Sequence, residues 1–302
     1  MRLMTTATLD IINTEKQLKS EKKVSPKRKR LKGTDVGIPV RKMGLNYDEL
    51  PQLWFANNGL LSAIFSGFSA ALPEGEDQFM YSVRLYQDKI TDPILKAQVR
   101  AFIGQEAHHS REHEAFNEAI IRSGFPVQRV ENFVRGMNKM MRKYQSPADQ
   151  LAGTVCGEHF TALLANYILT NPDILNTFEE PARSTWAWHA IEELEHKGVA
   201  FDVYDQLVGD RKRLHRAMKR ILPMFILINV INAMSMMHHT RQMTNLKEWK
   251  KAFNMLGKLW KSSKSDYKDF FKSNFHPWDH DCRQTLADAR EKHLGEIKKQ
   301  AA

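Results

Sequence analysis

One pattern occurs twice in this chain of 302 residues. A lone glutamate, Glu76, is followed a helix hairpin later by Glu106-x-x-His109, and Glu158 is followed in the same way by Glu193-x-x-His196. Glutamate and histidine three residues apart share one face of a helix, so both can reach a single point. Two copies require four helices packed around one centre, with four carboxylates and two imidazoles turned inwards. Carboxylate and imidazole together suit first-row divalent metals, and bridging carboxylates can neutralise two of them held close together.

His189 extends the second copy. Relative to it, Glu193 and His196 fall at about 40° and −20° around the helix, an arc of about 60°. Glu192, at about −60°, fits nearly as well, so the wheel alone leaves two acids open. The internal repeat selects Glu193. Taken singly, a Glu-x-x-His pair is usually a solvated helix face, and Glu76 alone is an ordinary first-turn acid. Glu158 is different, because it sits in the apolar run Leu151–Ala165, where an unpaired charge is costly. His113, one turn beyond His109, is a candidate for an extra ligand or a supporting partner. His108 and His159 point elsewhere around their helices and are expected at the surface or in packing. His238 and His239 lie at a helix end, where histidine is favoured by its charge.

The chain is expected to be all-α. Only 15 Gly and 11 Pro are spread along it, and strand-like alternation is scarce. An apolar segment over 46–72 is expected to pack across one end of a bundle. Pro73 is expected to open the first ligand helix, running to about Ile90. Thr91-Asp92-Pro93 starts a long helix to Ser123, stopped by Gly124. Further helices are expected over 127–144, from Pro147 to Leu169, from Pro181 to Val208, and over 211–239. Beyond Leu246 the chain is polar and helical, with Trp260, Phe270, Phe271, Phe275 and Trp278 as packing anchors. Phe79, Phe102, Phe160, Tyr167, Trp186 and Trp188 fit a core better than a pocket lining.

The formal net charge is +10, and residues 15–32 alone carry seven Lys and two Arg against two Glu. The basic excess is therefore assigned mainly to a disordered arm over 1–40, followed by a metal domain over 41–280 and a helical tail over 281–302. No specific nucleic-acid partner is implied. Cys156 and Cys282 make no disulfide framework, and no apolar leader opens the chain, so a cytoplasmic setting is expected. Residues 221–237 carry no charge and are flanked by six basic residues over 211–220. A membrane span needs about 20 apolar residues. A buried bundle or homodimer helix is the favoured reading, with docking at the inner-membrane interface through 211–241 next.

The segments Leu72–Phe79, Gln105–His113 and Trp188–Asp202 resemble a bacterial family described as predicted metal-dependent hydrolases, over about residues 40 to 280. That resemblance implies a ferritin-like four-helix bundle with additional flanking helices. The string His189-x-x-x-Glu193-x-x-His196 is also similar to the di-iron arylamine N-oxygenases. Their ligand order is matched here by Glu76, Glu106, His109, Glu158, His189, Glu193 and His196. This second resemblance implies two Fe ions, with Mn or Zn as alternatives, and it stops short of a substrate. The favoured expectation is an O₂-activating oxidase or oxygenase of a small organic molecule. The apolar helix and its basic flanks suggest a lipid-like one. The alternatives are a metal-dependent hydrolase and a non-enzymatic metal-binding protein.

Overall fold

The computed structural model describes residues 31–295. In chain order its helices are α1 (Gly59–Arg84), α2 (Pro93–Arg122), α3 (Gln128–Tyr144), α4 (Pro147–Thr170), the single turn α5 (Pro172–Leu175), α6 (Ala182–His196), α7 (Val199–Leu207), α8 (Arg211–His239), α9 (Leu246–Asp269) and α10 (Arg283–Ala289). Extended pairing among the described residues is limited to one bridge, Phe55 with Phe178. The protein is all-α, as its composition implies.

Local chemistry sets the helix starts. Asn58 accepts from the Leu61 amide at α1, Asp92 from Ile94 and Leu95 at α2, and Ser146 from Asp149 at α4. Proline occupies the first position of both α2 and α4, where no amide hydrogen is needed. Four helices then close a ring: α1 packs on α2 and α4, and α6 packs on α4 and α2. The hairpins α1–α2 and α4–α6 are joined by a long connection containing α3, which lies against α1. Helices α8 and α9 both cover α1 and α4, α7 packs on α4 and α2, and α10 lies against α6 and α4.

Two apolar clusters occupy opposite ends of the ring. One gathers Trp54, Phe55, Phe65, Phe116, Phe178 and Trp186; the other gathers Tyr86, Leu95, Phe102, Leu151, Phe201 and Phe270. Phe55 stacks on Phe178 with ring centres 4.1 Å apart, so the 46–72 segment does pack across one end. On each ring helix the acids and histidines of the repeat fall between these clusters. That leaves a polar layer clamped by apolar ones.

The structure corrects several expectations. Pro73 does not open a helix; it lies inside α1, which begins fourteen residues earlier at Gly59. Proline cannot donate to the carbonyl four residues back, and the freed Ser69 carbonyl accepts instead from Asn117 Nδ2 at 3.3 Å. The helix expected over 181–208 breaks at Lys197-Gly198. A Cβ on Gly198 would lie 2.8 Å from Trp278 Nε1, so the break admits the indole. The expected arm over 1–40 lies outside the described residues up to Arg30, but its last ten residues pack. Lys32 pairs with Asp279, and Asp35 pairs with Arg283 at 2.6 Å.

Helix α8 is not buried within the bundle, which was the first half of the favoured reading. Leu214, Met218, Ala233, Met236 and Met237 are buried, whereas Met224, Ile226, Leu227, Val230 and Ile231 are 45–59% exposed. By length and composition α8 could cross a membrane. Its two ends are tied to the ring, through Leu214 and Met218 at one and through Ala233, Met236 and Met237 at the other. The basic excess is also not confined to the arm. Residues 211–269 carry fourteen Lys and Arg against three acids, a formal +11.

Candidate metal centre

Seven side chains drawn from four helices meet in the polar layer. Glu76 comes from α1, Glu106 and His109 from α2, Glu158 from α4, and His189, Glu193 and His196 from α6. All are buried. They form three overlapping donor groups whose ligand atoms lie within 4.8 Å of one another: Glu76 with His109 and His189, Glu106 with His109 and Glu193, and Glu106 with Glu158 and His196. Glu106, His109 and Glu193 are central. His196 Nε2 lies 3.1 Å from Glu106, 3.3 Å from Glu158 and 3.5 Å from Glu193, and His189 Nε2 lies 3.2 Å from Glu193.

The hydrogen bonds behind each imidazole fix its tautomer. Gln105 Nε2 donates to Glu195 at 2.7 Å, and a carboxylate only accepts. Gln105 therefore turns its carbonyl oxygen to His196 Nδ1 at 2.9 Å, and that nitrogen must carry the proton. The same reasoning runs along a second chain. Asn117 Nδ2 donates to Glu131, Ser69 Oγ donates to Asn117 Oδ1, and Ser69 Oγ must then accept from His113 Nδ1 at 2.9 Å. His113 Nε2 is left to accept from His189 Nδ1 at 3.2 Å. His109 Nε2 donates to Glu192 at 3.1 Å, whose other oxygen takes Arg41 at 2.8 Å. Each imidazole thus spends one nitrogen outwards and turns a bare one, His109 Nδ1, His189 Nε2 or His196 Nε2, towards the carboxylates.

A lone pair facing carboxylates in a buried layer is repulsive unless a cation lies between them. All seven residues carry a buried atom with no hydrogen-bond partner: Glu76 Oε1, both oxygens of Glu106 and of Glu158, Glu193 Oε2, and the three bare ring nitrogens. Orphaned buried polar atoms cost about 1–3 kcal/mol each. Nine of them converging on one place fit a metal centre, and outward hydrogen bonds from each histidine are what metal-bound imidazoles carry.

The electrostatics lead the same way. Without a metal, burial pushes the carboxyls of Glu76 and Glu106 well above the usual range, reinforced by Glu193 at Glu76 and by Glu158 at Glu106. Burial lifts Glu158 to about 7, against the pull of His196. Burial also opposes charge on Glu193, but His196 and His189 outweigh it and hold that carboxyl well below its ordinary value. Burial disfavours the charged form of His196, yet Glu158 and Glu193 prevail and raise it.

Helix α6 is buried on nearly every side, although it carries Glu192, Glu193, Glu195, His189 and His196. Its outward charge is met by Arg41, which reaches Glu192 at 2.8 Å and Glu195 at 2.7 Å, and by Arg290, also 2.7 Å from Glu195. Trp188 packs edge-on against His109, and Phe102 against His196. Phe102, Trp186 and Trp188 are core residues that also wall the site. His113 supports His189 rather than joining the donor groups. His159 packs against Phe270 and Phe275, while His238 and His239 lie on the exposed end of α8 and enter no donor group among the described residues.

Sequence reasoning missed Arg41, Gln105, Glu195, Arg290, Ser69 and Asn117. Glu195 had a signal, since a third acid within four residues of a buried helix needs a distant cation. No local pattern marked Arg41, which acts from outside the ring.

No curated protein and no solved structure matches the chain. The family model described as predicted metal-dependent hydrolase matches residues 39–281, which span every donor above, and the chain therefore belongs to that family.

Proposed function

We propose that this chain is a dinuclear metal-dependent hydrolase built on a ferritin-like bundle. The observation that carries the reading is the set of three bare imidazole nitrogens held by outward hydrogen bonds against four buried carboxylates. Glu76, His109 and His189 would serve one end of the site, and Glu106, Glu158 and His196 the other, with Glu193 between. When bound, a pair of divalent cations supplies Lewis acidity and acidifies a water molecule, or, if redox-active iron, supplies electrons to O₂. The protein's own residues position and neutralise. Gln105, Glu192 and His113 hold the three imidazoles in register, and the end clusters exclude bulk water.

A second reading, an O₂-activating di-iron oxidase or oxygenase, draws on the donor set. Four carboxylates, three imidazoles and no thiolate suit Fe or Mn at least as well as Zn. One experiment separates the two. Full-length protein is stripped of metal, reloaded with Zn, Mn or Fe(II), and assayed for ester and phosphoester turnover without reductant and for O₂ uptake after anaerobic reduction. Turnover with Zn or Mn supports the hydrolase; O₂ uptake with iron alone supports the oxidase. Failure to retain about two metals per chain, with retention unaffected by Glu106→Ala, removes both.

A further inference from the structure

We propose that the outer face of α8 and α9 docks on an anionic lipid bilayer. The two helices cover the same pair, α1 and α4, so their outward faces look the same way. The exposed residues of α8 fall on one broad face. Its first half presents Lys212, Arg216, Lys219 and Arg220, and its second half presents Met224, Ile226, Leu227, Val230 and Ile231. No acidic residue occurs in α8. On α9, Leu246, Phe253 and Trp260 recur every seventh residue and are 78, 59 and 53% exposed. Lys250, Lys261, Lys264 and Lys268 fall within about 100° of that stripe.

Apolar anchors interleaved with lysine on a helix that lies flat on the body are what an interfacial helix needs. The +11 carried by residues 211–269 gives the occupant its sign. Anionic headgroups would meet the lysines and arginines while the apolar residues enter the acyl boundary. A second copy of this chain would bring +11 against +11, which disfavours self-association through the same face. A spanning insertion would strip Leu214, Met218, Ala233, Met236 and Met237 from the clusters they pack into.

Beneath the face, apolar side chains line two small cavities, one of which reaches His189. Phe225 of α8 sits against Phe68, and Phe68 lines a small pocket with Leu164, Ile168, Trp186 and His189. Leu164 and Ile168 also line a second pocket roofed by Met255, Leu256 and Leu259 of α9.

The test is co-sedimentation of the metal-stripped full-length protein with vesicles of phosphatidylcholine, with and without phosphatidylglycerol. Binding is expected only with phosphatidylglycerol, weakening as salt rises, and falling about tenfold or more in Leu227→Glu/Val230→Glu and in Arg216→Glu/Arg220→Glu. Because these side chains are exposed, the variants should melt as the native protein does. Vesicle-induced blue-shifted fluorescence should disappear in Trp260→Phe. Three results would overturn the proposal: no binding above the phosphatidylcholine background, binding that survives both double variants and so belongs to the basic residues of 16–32, or a dimer in sedimentation equilibrium that Leu227→Glu/Val230→Glu dissociates.

Discussion

Replacing Glu158 by glutamine should stabilise the metal-free protein and weaken the metal-bound one. The Glu158 carboxyl is fully enclosed, and burial lifts it from 4.5 to about 7 despite the opposing pull of His196. A folded-state value above the unfolded one means that the native protein holds this proton more tightly. The associated stability is present below about pH 4.5, is lost as pH rises towards 7, and is gone above that. At pH 8 the loss is about 3 kcal/mol. Glutamine cannot ionise and escapes it. The substitution also gives up the 3.3 Å approach to His196 Nε2, although Glu106 and Glu193 remain beside that nitrogen at 3.1 and 3.5 Å. A net gain of about 1–3 kcal/mol at pH 8, vanishing by pH 5, is expected in chelator. With Mn or Zn present the order should invert, because a neutral amide is a poorer donor than a carboxylate. Urea unfolding at pH 5 and pH 8, with chelator and with metal, measures all four cases. If Glu158→Gln is less stable at both pH values in chelator and gains as much from metal as the native protein, Glu158 is a structural carboxylate and the assignment fails.

Other perturbations probe the support around the centre. Arg41→Ala leaves Glu192 without its guanidinium and Glu195 with only Arg290 and Gln105; an unfolding titration should show a loss of about 2–4 kcal/mol, and Arg41→Lys should recover only part of it. Gln105→Leu removes the acceptor that orients His196; chelator competition should report a fall in metal affinity of about 10–100-fold with helical content unchanged. Gly157→Ala places a Cβ 2.4 Å from the Phe79 ring where α4 meets α1, and should lower stability by about 1–3 kcal/mol, an effect that Phe79→Leu relieves.

The repeat was legible in the sequence because helical spacing is rigid. Residues three or four apart must share a face, so Glu106 and His109, or His189, Glu193 and His196, were forced together before any packing was known. Helix ends were legible where capping chemistry was local, as at Asp92-Pro93 and Ser146-Pro147. Pro73 misled because a proline can also lie within a helix when another group satisfies the carbonyl it abandons. Here that group is Asn117, 44 residues away. Gly198 likewise breaks its helix for a reason carried by Trp278. The exposure of α8 had only one local signal, the six basic residues over 211–220. An uncharged run looks the same in a core and at a surface until the number of helices competing for the interior is known.

Glu192 and Glu193 show why the wheel could not choose between two acids on one arc. It placed both towards one side of α6, which is correct, but it had no knowledge of what stands on that side. His109 of α2 does, with Glu192 at its Nε2 and Glu193 3.7 Å from its Nδ1. Neighbouring acids on one helix therefore grip the two edges of a single imidazole from another. One removes the proton-bearing nitrogen from the cavity, and the other shares the cavity with the bare one. A lone acid at either position could either orient the ring or face the same metal, but not both. The doublet that looked ambiguous in the sequence is the arrangement that lets a histidine be held and left free to bind.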